Sequence, residues 1–360
     1  MSTRGEIVIY GAGMSGLIAA INLAKEDYKV TVHDREKGFG GDSIYNPSTH
    51  TTSIDVDMTS EYIGIDLSSV FHPLRYCPFY FHDTAFHPPL HLLDMHTVER
   101  GNRPSSLDSL LYAQAKELGV DFKFNSPLRK EVLHKLPDNT IIACGLAPSV
   151  YEMLDIPYLR WYGWISRGEI GFSDRSWIWI DEVITEYGYL SSCNNYYFNL
   201  LFSNRHIDRR SLEKYQDFII RHEGVEHKNW EYISGAVPIA SPDNPRLFHN
   251  GLIMCGTISG AMDPFFWFGI LGALVTGKVA AMAVYDRRKA EEDFERFTRR
   301  FSAAYLFKNL FWYRIRPHVG IFENGINFIG QRRFEKLSES LFKRGSLAFA
   351  TPGFGRLGTY

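Results

Sequence analysis

The sequence predicts an α/β fold with an α+β insertion: a parallel-sheet domain, interrupted by an antiparallel sheet and followed by a helical C-terminal region. Three observations carry that reading. A β-branched run, Glu6 to Tyr10, leads straight into the glycine-rich stretch G-A-G-M-S-G at 11–16, then into a helical pattern and a second strand. Residues 55–99 and 151–245 alternate short aromatic and β-branched runs, such as Trp177-Ile178-Trp179-Ile180, with turn residues, as antiparallel strands do. Residues 286–360 mix basic and aromatic side chains along helical stretches. At 360 residues, 45% of them hydrophobic and 22% charged, the chain has material for a large core and is neither disordered nor fibrous in composition. The divisions expected are 1–54, 100–150 and 246–285 for the first domain, 55–99 and 151–245 for the inserted sheet, and 286–360 for the tail.

The first element is a complete β-α-β unit. Glu6-Ile7-Val8-Ile9-Tyr10 reads as a strand, Leu17 to Ala24 as a helix, and Val30 to His33 as a second strand ending at Asp34. In the turn between strand and helix, Gly11 permits the tight bend, Gly13 lets backbone approach a pyrophosphate, and Gly16 lets the helix pack close to the strand. Ala12, Met14 and Ser15 complete a helix start whose free N–H groups and dipole favour a phosphate. Asp34, with Arg35 beside it, stands where an adenosine ribose would be held. A second G-x-G-x-x-G, at 353–358, follows Pro352 without a strand leading into it and is not expected to be a nucleotide-binding turn.

Later segments carry further patterns. Leu252 to Cys255 reads as a strand delivering Gly256-Thr257-Ile258-Ser259-Gly260-Ala261-Met262-Asp263-Pro264, and a small-residue helix starts at Gly269-Ile270 and runs to about Ala281. Upstream, Arg100 and Arg103 precede a helix beginning near Ser105-Ser106-Leu107-Asp108, where Ser105 and Asp108 are spaced as a capping box. Thr140 to Gly145 reads as a strand ending in a glycine step, and Gly38 to Ser43 as a glycine-rich loop.

These segments resemble, in order, elements of the FAD-dependent reductases and hydroxylases of the geranylgeranyl-reductase and aromatic-hydroxylase superfamily. The resemblance implies FAD as cofactor, with Gly41, Asp42, Arg100, Gly145, Gly256, Thr257, Asp263, Gly269 and Ile270 joining the first glycine turn around it. It implies a substrate sheet facing the flavin, with Phe266, Trp267, Phe268 and Trp179 in an apolar pocket. It also implies reduction of carbon–carbon double bonds of an isoprenoid-like substrate by hydride from flavin N5, with Tyr189, Cys193 or Asp263 as proton source. Electrons would come from NAD(P)H docking transiently or from a ferredoxin-like protein. A flavin-dependent monooxygenase and a non-redox binding protein that keeps the fold are the alternatives. This chain departs from the family at Thr257, where an aspartate is usual, and at Phe265-Phe266-Trp267-Phe268, where glycines are usual. The reductases' cysteine near residues 38–43 and their Y-x-W-x-F-P strand are missing.

Charge and composition exclude other classes. A net charge of −2 gives no nucleic-acid footprint. Residues 286–360 carry 15 Lys and Arg against 8 Asp and Glu, which suits either a solvated helical lid or contact with an anionic membrane surface. The longest apolar run, Pro264 to Gly277, is too short to cross a bilayer. Without a secretory signal or a C-x-x-C pair, Cys77, Cys144, Cys193 and Cys255 are expected as buried reduced thiols in a cytoplasmic protein. His72, His82, His87, His91 and His96 have no metal-site spacing, and no metal is expected.

Overall fold

The computed structural model describes residues 4–343. The second glycine motif at 353–358 lies outside the described residues. A six-stranded sheet runs in the order Phe248–His249, Leu252–Met254, Ile141–Ile142, Glu6–Tyr10, Lys29–His33, Asp121–Lys123. Every neighbouring pair is parallel except the first. The two central strands alternate: Ile7 and Ile9, Val30 and Val32 are buried, while Val8 and Thr31 between them are half-buried.

Helices Met14–Lys25 and Ile270–Tyr285 pack on each other in the core of this sheet through Leu17, Ile18, Ile21, Leu274, Val275 and Val279. Their close approach depends on Gly277, where a Cβ would stand 2.6 Å from the Ser15 carbonyl oxygen and 2.8 Å from Ile18 Cβ. Helix Val56–Ile63, capped by Asp55, brings Ile63 into the same core together with Ile65, Leu67, Val70 and Phe71. Asn22 Nδ2 donates to the Ile63 carbonyl at 3.2 Å. Residues 56–71 therefore pack with the first domain, whereas the sequence division put them with the inserted sheet. Their apolar positions follow the helix they cover, not the strands that come after.

The inserted sheet has seven strands, ordered Glu231–Val237, Leu159–Glu169, Tyr196–Ser203, Gly188–Cys193, Arg175–Ile180, Phe79–Phe81, Thr84–Phe86. It is antiparallel apart from the pairing of Arg175–Ile180 with Phe79–Phe81. Helix Arg209–Glu223 covers one face, starting at the Asp208 cap and ending at Gly224 in the left-handed conformation. The other face turns toward the six-stranded sheet. A three-stranded antiparallel sheet, Ser48–Ser53, Met95–Arg100 and Phe71–Pro73, lies against the seven-stranded one, with Thr49 Oγ1 donating to the Ser191 carbonyl at 2.5 Å.

The tail forms helices Arg287–Thr298, Phe301–Phe307, Val319–Ile329 and Gln331–Lys343, with a π-helical turn at Lys308–Trp312. It is anchored by two buried cations, Lys308 and Arg316, of which Arg316 donates to the Asp181 carbonyl at 2.7 Å. Lys308 Nζ donates to Glu186 Oε2 at 2.6 Å and to the Phe265 carbonyl at 2.8 Å, and Tyr313 donates to the same Glu186.

Candidate functional site

A cavity of about 340 Å³ lies between the two large sheets, entered at the glycine turn and closed by the aromatic face of the inserted sheet. At the glycine end, Tyr10 leads into Gly11, whose φ of +116° and whose Cβ position, 2.3 Å from the Ala143 carbonyl oxygen, admit only glycine. Gly13 is the N-cap of helix Met14–Lys25, no side chain caps that helix, and its first turn holds no carboxylate. No atom stands within 4 Å of where a Gly13 Cβ would be, so the backbone there faces open space in the cavity wall. This is the geometry that takes an anion at a helix start.

Asp34 orders the far side of the turn. One carboxylate oxygen accepts from Ala12 N at 2.5 Å and the other from Glu36 N at 2.8 Å, while the residue still lines the cavity. Arg35, ion-paired with Asp42, lies beside it. Arg100 reaches the cavity with its guanidinium held from behind by Asp108, at 2.6 and 3.0 Å. Because Asp108 also accepts from Gly101 N, it does not cap the helix Leu107–Glu117. Ser106 does so instead, accepting from Ser109 N, which shifts the expected capping register by one residue. Arg103 turns to Glu99 and lies 4.5 Å over the Tyr196 ring, so of the two arginines that precede this helix only Arg100 lines the cavity.

At the aromatic end the wall is Trp161, Tyr187, Tyr189, Phe198, Phe202 and the turn Phe266-Trp267-Phe268. Asp263 shapes that turn, accepting from Phe266 N at 2.6 Å, and Trp267 takes a left-handed φ of +60°, a strained conformation for a bulky residue. Behind Tyr187, Tyr189, Phe266 and Phe268 is a second, almost wholly apolar cavity of about 80 Å³, lined also by Phe79, Leu93 and Ile178. Polar chemistry in this end is confined to a few groups. Tyr189 Oη donates to the Thr49 carbonyl at 2.8 Å and lies 3.4 Å from His50 Nδ1. His50 Nε2 lies 2.8 Å from Ser48 Oγ, which donates to Asn46 Oδ1 at 2.8 Å. Burial, helped by the Arg100 charge, pushes His50 down to about 3, and burial raises Tyr189 well above an ordinary phenol. Both are neutral across the physiological range.

Gly11, Gly13, Met14, Ser15, Asp34, Arg35, Gly41, Asp42, Arg100, Gly145, Thr257, Tyr189, Phe266, Trp267 and Phe268 thus meet in one cavity. Other expected residues support it from behind. Gly16 packs on the Gly11 carbonyl, Gly256 packs on Ser15 and donates to Thr276 at 2.8 Å, Gly269 caps helix Ile270–Tyr285, and Ile270 is in the core. Asp263 is buried behind the 263–268 turn, not on the cavity surface, and burial pushes it up to about 6. Three expectations are corrected: Asp263, enclosed in this way, does not face the cavity as a proton source or cofactor contact, and neither Trp179 nor Cys193 lines it. Trp179 lies on the opposite face of its strand, its ring 5.1 Å from Tyr215 and 5.5 Å from Phe218, because alternate residues of a strand face opposite ways and the helix Arg209–Glu223 covers the Trp177 and Trp179 side. Cys193, at the end of its strand, is enclosed near Thr97, Asp174 and Glu99, away from the cavity, with burial pushing its thiol up to about 12.

His50 was missed because its strand reads Ser-Thr-His-Thr-Thr-Ser, without the apolar alternation that marks strands. Ala273, Tyr45 and Ser126 also line the cavity without a local signal. Cys144 lines it too; all four cysteines are free thiols. Among the histidines of the 72–96 segment, His82 meets Asp181 and Glu182, with donor atoms within 4.8 Å of one another. The Lys214 ammonium already sits 2.7 Å from Asp181, and Glu323 takes the second His82 nitrogen, making an ion-pair network. The side chain of His91 lies outside the described residues.

The NAD(P)-binding Rossmann-like domain family matches residues 9–93. In Arabidopsis thaliana, the flavin-containing monooxygenases FMO GS-OX2 and FMO GS-OX4 are each 39% identical over 69 residues, which is 19% of this chain and 14% of either relative. The match therefore spans about a seventh of those relatives' length. Among solved structures, a geranylgeranyl bacteriochlorophyll reductase-like protein from Thermoplasma acidophilum superposes with a TM-score of 0.60 at 15% identity, over 84% of this chain and 87% of that one. The p-nitrophenol 4-monooxygenase from Pseudomonas putida DLL-E4 superposes with a TM-score of 0.60 at 12% identity, over 98% and 96%. A 2-methyl-3-hydroxypyridine-5-carboxylic acid oxygenase does so with 0.57 at 18%, over 99% and 95%. At these identities the shared property is the fold.

Proposed function

We propose, for a chain whose fold is that of geranylgeranyl-reductase-like and aromatic-hydroxylase flavoproteins, that it is an FAD-dependent oxidoreductase reducing carbon–carbon double bonds of an apolar, isoprenoid-like substrate. The observation that carries this is the single cavity joining an uncapped helix start and Asp34 at one end to a wall of aromatic rings at the other. The residues fit the dinucleotide: the open space at Gly13 suits a pyrophosphate, Asp34 suits a ribose, and Thr257 offers a neutral hydroxyl to the ribityl chain in place of the aspartate found in relatives. Bound there, FAD supplies the two-electron redox chemistry.

The remaining tasks belong to the chain. Phe198, Phe202, Trp267 and Phe268 exclude water and hold an apolar substrate, and the second cavity extends that apolar volume. Tyr189 keeps its proton at Oη through physiological pH and, once its hydroxyl turns from the Thr49 carbonyl that holds it in the unliganded chain, is the donor to the substrate carbon. Asp263 holds the turn. NAD(P)H docking transiently, or a ferredoxin-like protein, would reduce the cofactor.

The test is a flavin spectrum followed by anaerobic turnover. Purified protein incubated with FAD should turn yellow, and once reduced should saturate a polyprenyl double bond without oxygen, with Tyr189→Phe slowing this about 10²-fold or more. A second reading is a flavin-dependent monooxygenase, favoured by the 39% identity over 69 residues to flavin-containing monooxygenases. Turnover strictly dependent on oxygen would establish it in place of the reductase. Protein that stays colourless would leave only a binding role.

A further inference from the structure

We infer that the C-terminal helices dock on the surface of an anionic lipid bilayer. This goes beyond the flavin reading and stands whether or not the cavity takes FAD. The observation is a pairing of two surface properties in one stretch of chain. Leu306, Leu310, Ile321, Phe328, Ile329 and Leu337 are exposed by 39% to 93%, Phe328 most of all. In helix Val319–Ile329 the residues Ile321, Asn324 and Phe328 share the outer face at i, i+3 and i+7, while Val319 and Ile326 are buried and Phe322 stacks 5.6 Å from Phe81. Ala303, Leu306, Leu310 and Arg314 repeat that spacing on the preceding turns, opposite buried Phe301, Ala304 and Lys308.

The charges in the same stretch are sorted by sign. Between residues 299 and 337 the exposed charged side chains are Arg299, Arg314, Arg332, Arg333 and Lys336, all cationic. The acids of the stretch are half-buried: Glu323 meets His82 Nδ1 at 2.9 Å and Thr84 Oγ1 at 3.0 Å, Glu335 accepts from Gln331 Nε2 at 3.1 Å and His87 N at 3.4 Å, and Glu339 follows on the same helix. The neighbouring helix Arg287–Thr298 shows the contrast, since Arg287, Arg288 and Lys289 there pair with Glu291, Glu292 and Asp293 on the same helix. Exposed apolar side chains flanked by exposed cations match the interface of an anionic bilayer, where rings enter the acyl boundary and guanidinium groups meet phosphates. A second copy of the chain would bring the same cations to the same face and be repelled. No helix among the described residues is long and apolar enough to cross a membrane, so the contact is with the surface.

The experiment is cosedimentation of the full chain with vesicles of phosphatidylcholine alone and of phosphatidylcholine mixed with phosphatidylglycerol. Binding is expected only to the mixed vesicles and should fall as salt is raised. Arg332→Ala with Arg333→Ala should weaken it on the order of 25-fold, roughly fivefold per cation. Ile321→Ser with Phe328→Asp should abolish it, and both double variants, being at exposed sites, should keep the parent's circular dichroism and melting curve. Failure to bind mixed vesicles, or binding that neither double variant changes, would overturn the proposal. So would concentration-dependent dimerisation without lipid that Phe328→Asp removes, which would assign the face to a second copy.

Discussion

Tyr189 Oη and His50 Nδ1 lie 3.4 Å apart in the cavity wall, brought together from the strands Gly188–Cys193 and Ser48–Ser53, and neither carries a charge at neutral pH. A neutral imidazole enclosed beside a phenol is a pH-dependent element of stability as well as part of the site.

The direction of that dependence follows from proton uptake. His50 sits at about 3 in the folded chain against 6.5 when free, so below pH 6.5 the unfolded chain binds the proton first. Its contribution is full above that pH and is lost as pH falls toward 3. Asp263 acts in the opposite sense: pushed up to about 6 from 3.8 by burial, the folded chain takes its proton first, so its cost above pH 6 fades as pH falls. Stability measured by urea unfolding should therefore depend less steeply on pH in His50→Gln, by up to about 1.4 kcal/mol per pH unit between pH 6.5 and about pH 5. Asp263→Asn should steepen the loss below pH 6. An unchanged slope in His50→Gln would mean that the imidazole is solvated.

Two glycines of one motif should respond differently to a methyl group. At Gly13 the new Cβ meets no atom within 4 Å, whereas at Gly16 it would stand 1.9 Å from the Gly11 carbonyl oxygen. Gly13→Ala should cost no more than about 1 kcal/mol of stability but weaken FAD binding roughly tenfold or more, read by flavin fluorescence quenching. Gly16→Ala should lower stability by about 3 kcal/mol or more. Equal effects of the two would contradict an open cavity at the helix start.

The Lys308–Glu186 pair has both side chains almost completely buried, at 2% and 0% exposure. Removing either partner alone strands a charge, so Lys308→Met should cost about 3–5 kcal/mol in chemical denaturation, and adding Glu186→Leu should recover much of that. Because Lys308 also donates to the Phe265 carbonyl, the single variant should disturb Trp267 fluorescence. Additive losses in the double variant would show that the two do not act as a pair.

Trp179 should behave as a core residue and Trp267 as a cavity residue. Trp179→Ala is expected to destabilise the fold by about 3–5 kcal/mol through the void left against Tyr215 and Phe218. In protein that remains folded, the affinity for an apolar cavity ligand such as a short prenyl alcohol should be unchanged. Trp267→Leu should alter that affinity. Ligand binding impaired by Trp179→Phe at unchanged stability would return Trp179 to the pocket.

Much of this architecture is local in origin. The spacing of Gly11, Gly13 and Gly16 between an apolar strand and a helical pattern is itself the nucleotide-binding turn, since strand, bend and helix start are neighbours in the chain. The small-residue helix at 270–281 and the basic, aromatic tail were also readable, because periodicity and charge are properties of short windows; the helix simply runs on to Tyr285. What tertiary structure alone decided is which side of each element meets which neighbour. Trp179 faces the helix Arg209–Glu223 and Ile178 the apolar cavity because strand alternation fixes their opposition but not which face is covered. Arg100 lines the cavity and Arg103 does not, because Asp108 claims one and Glu99 the other. His50 reaches Tyr189 only through the contact of two sheets, a relation between segments far apart in the chain that no local pattern encodes.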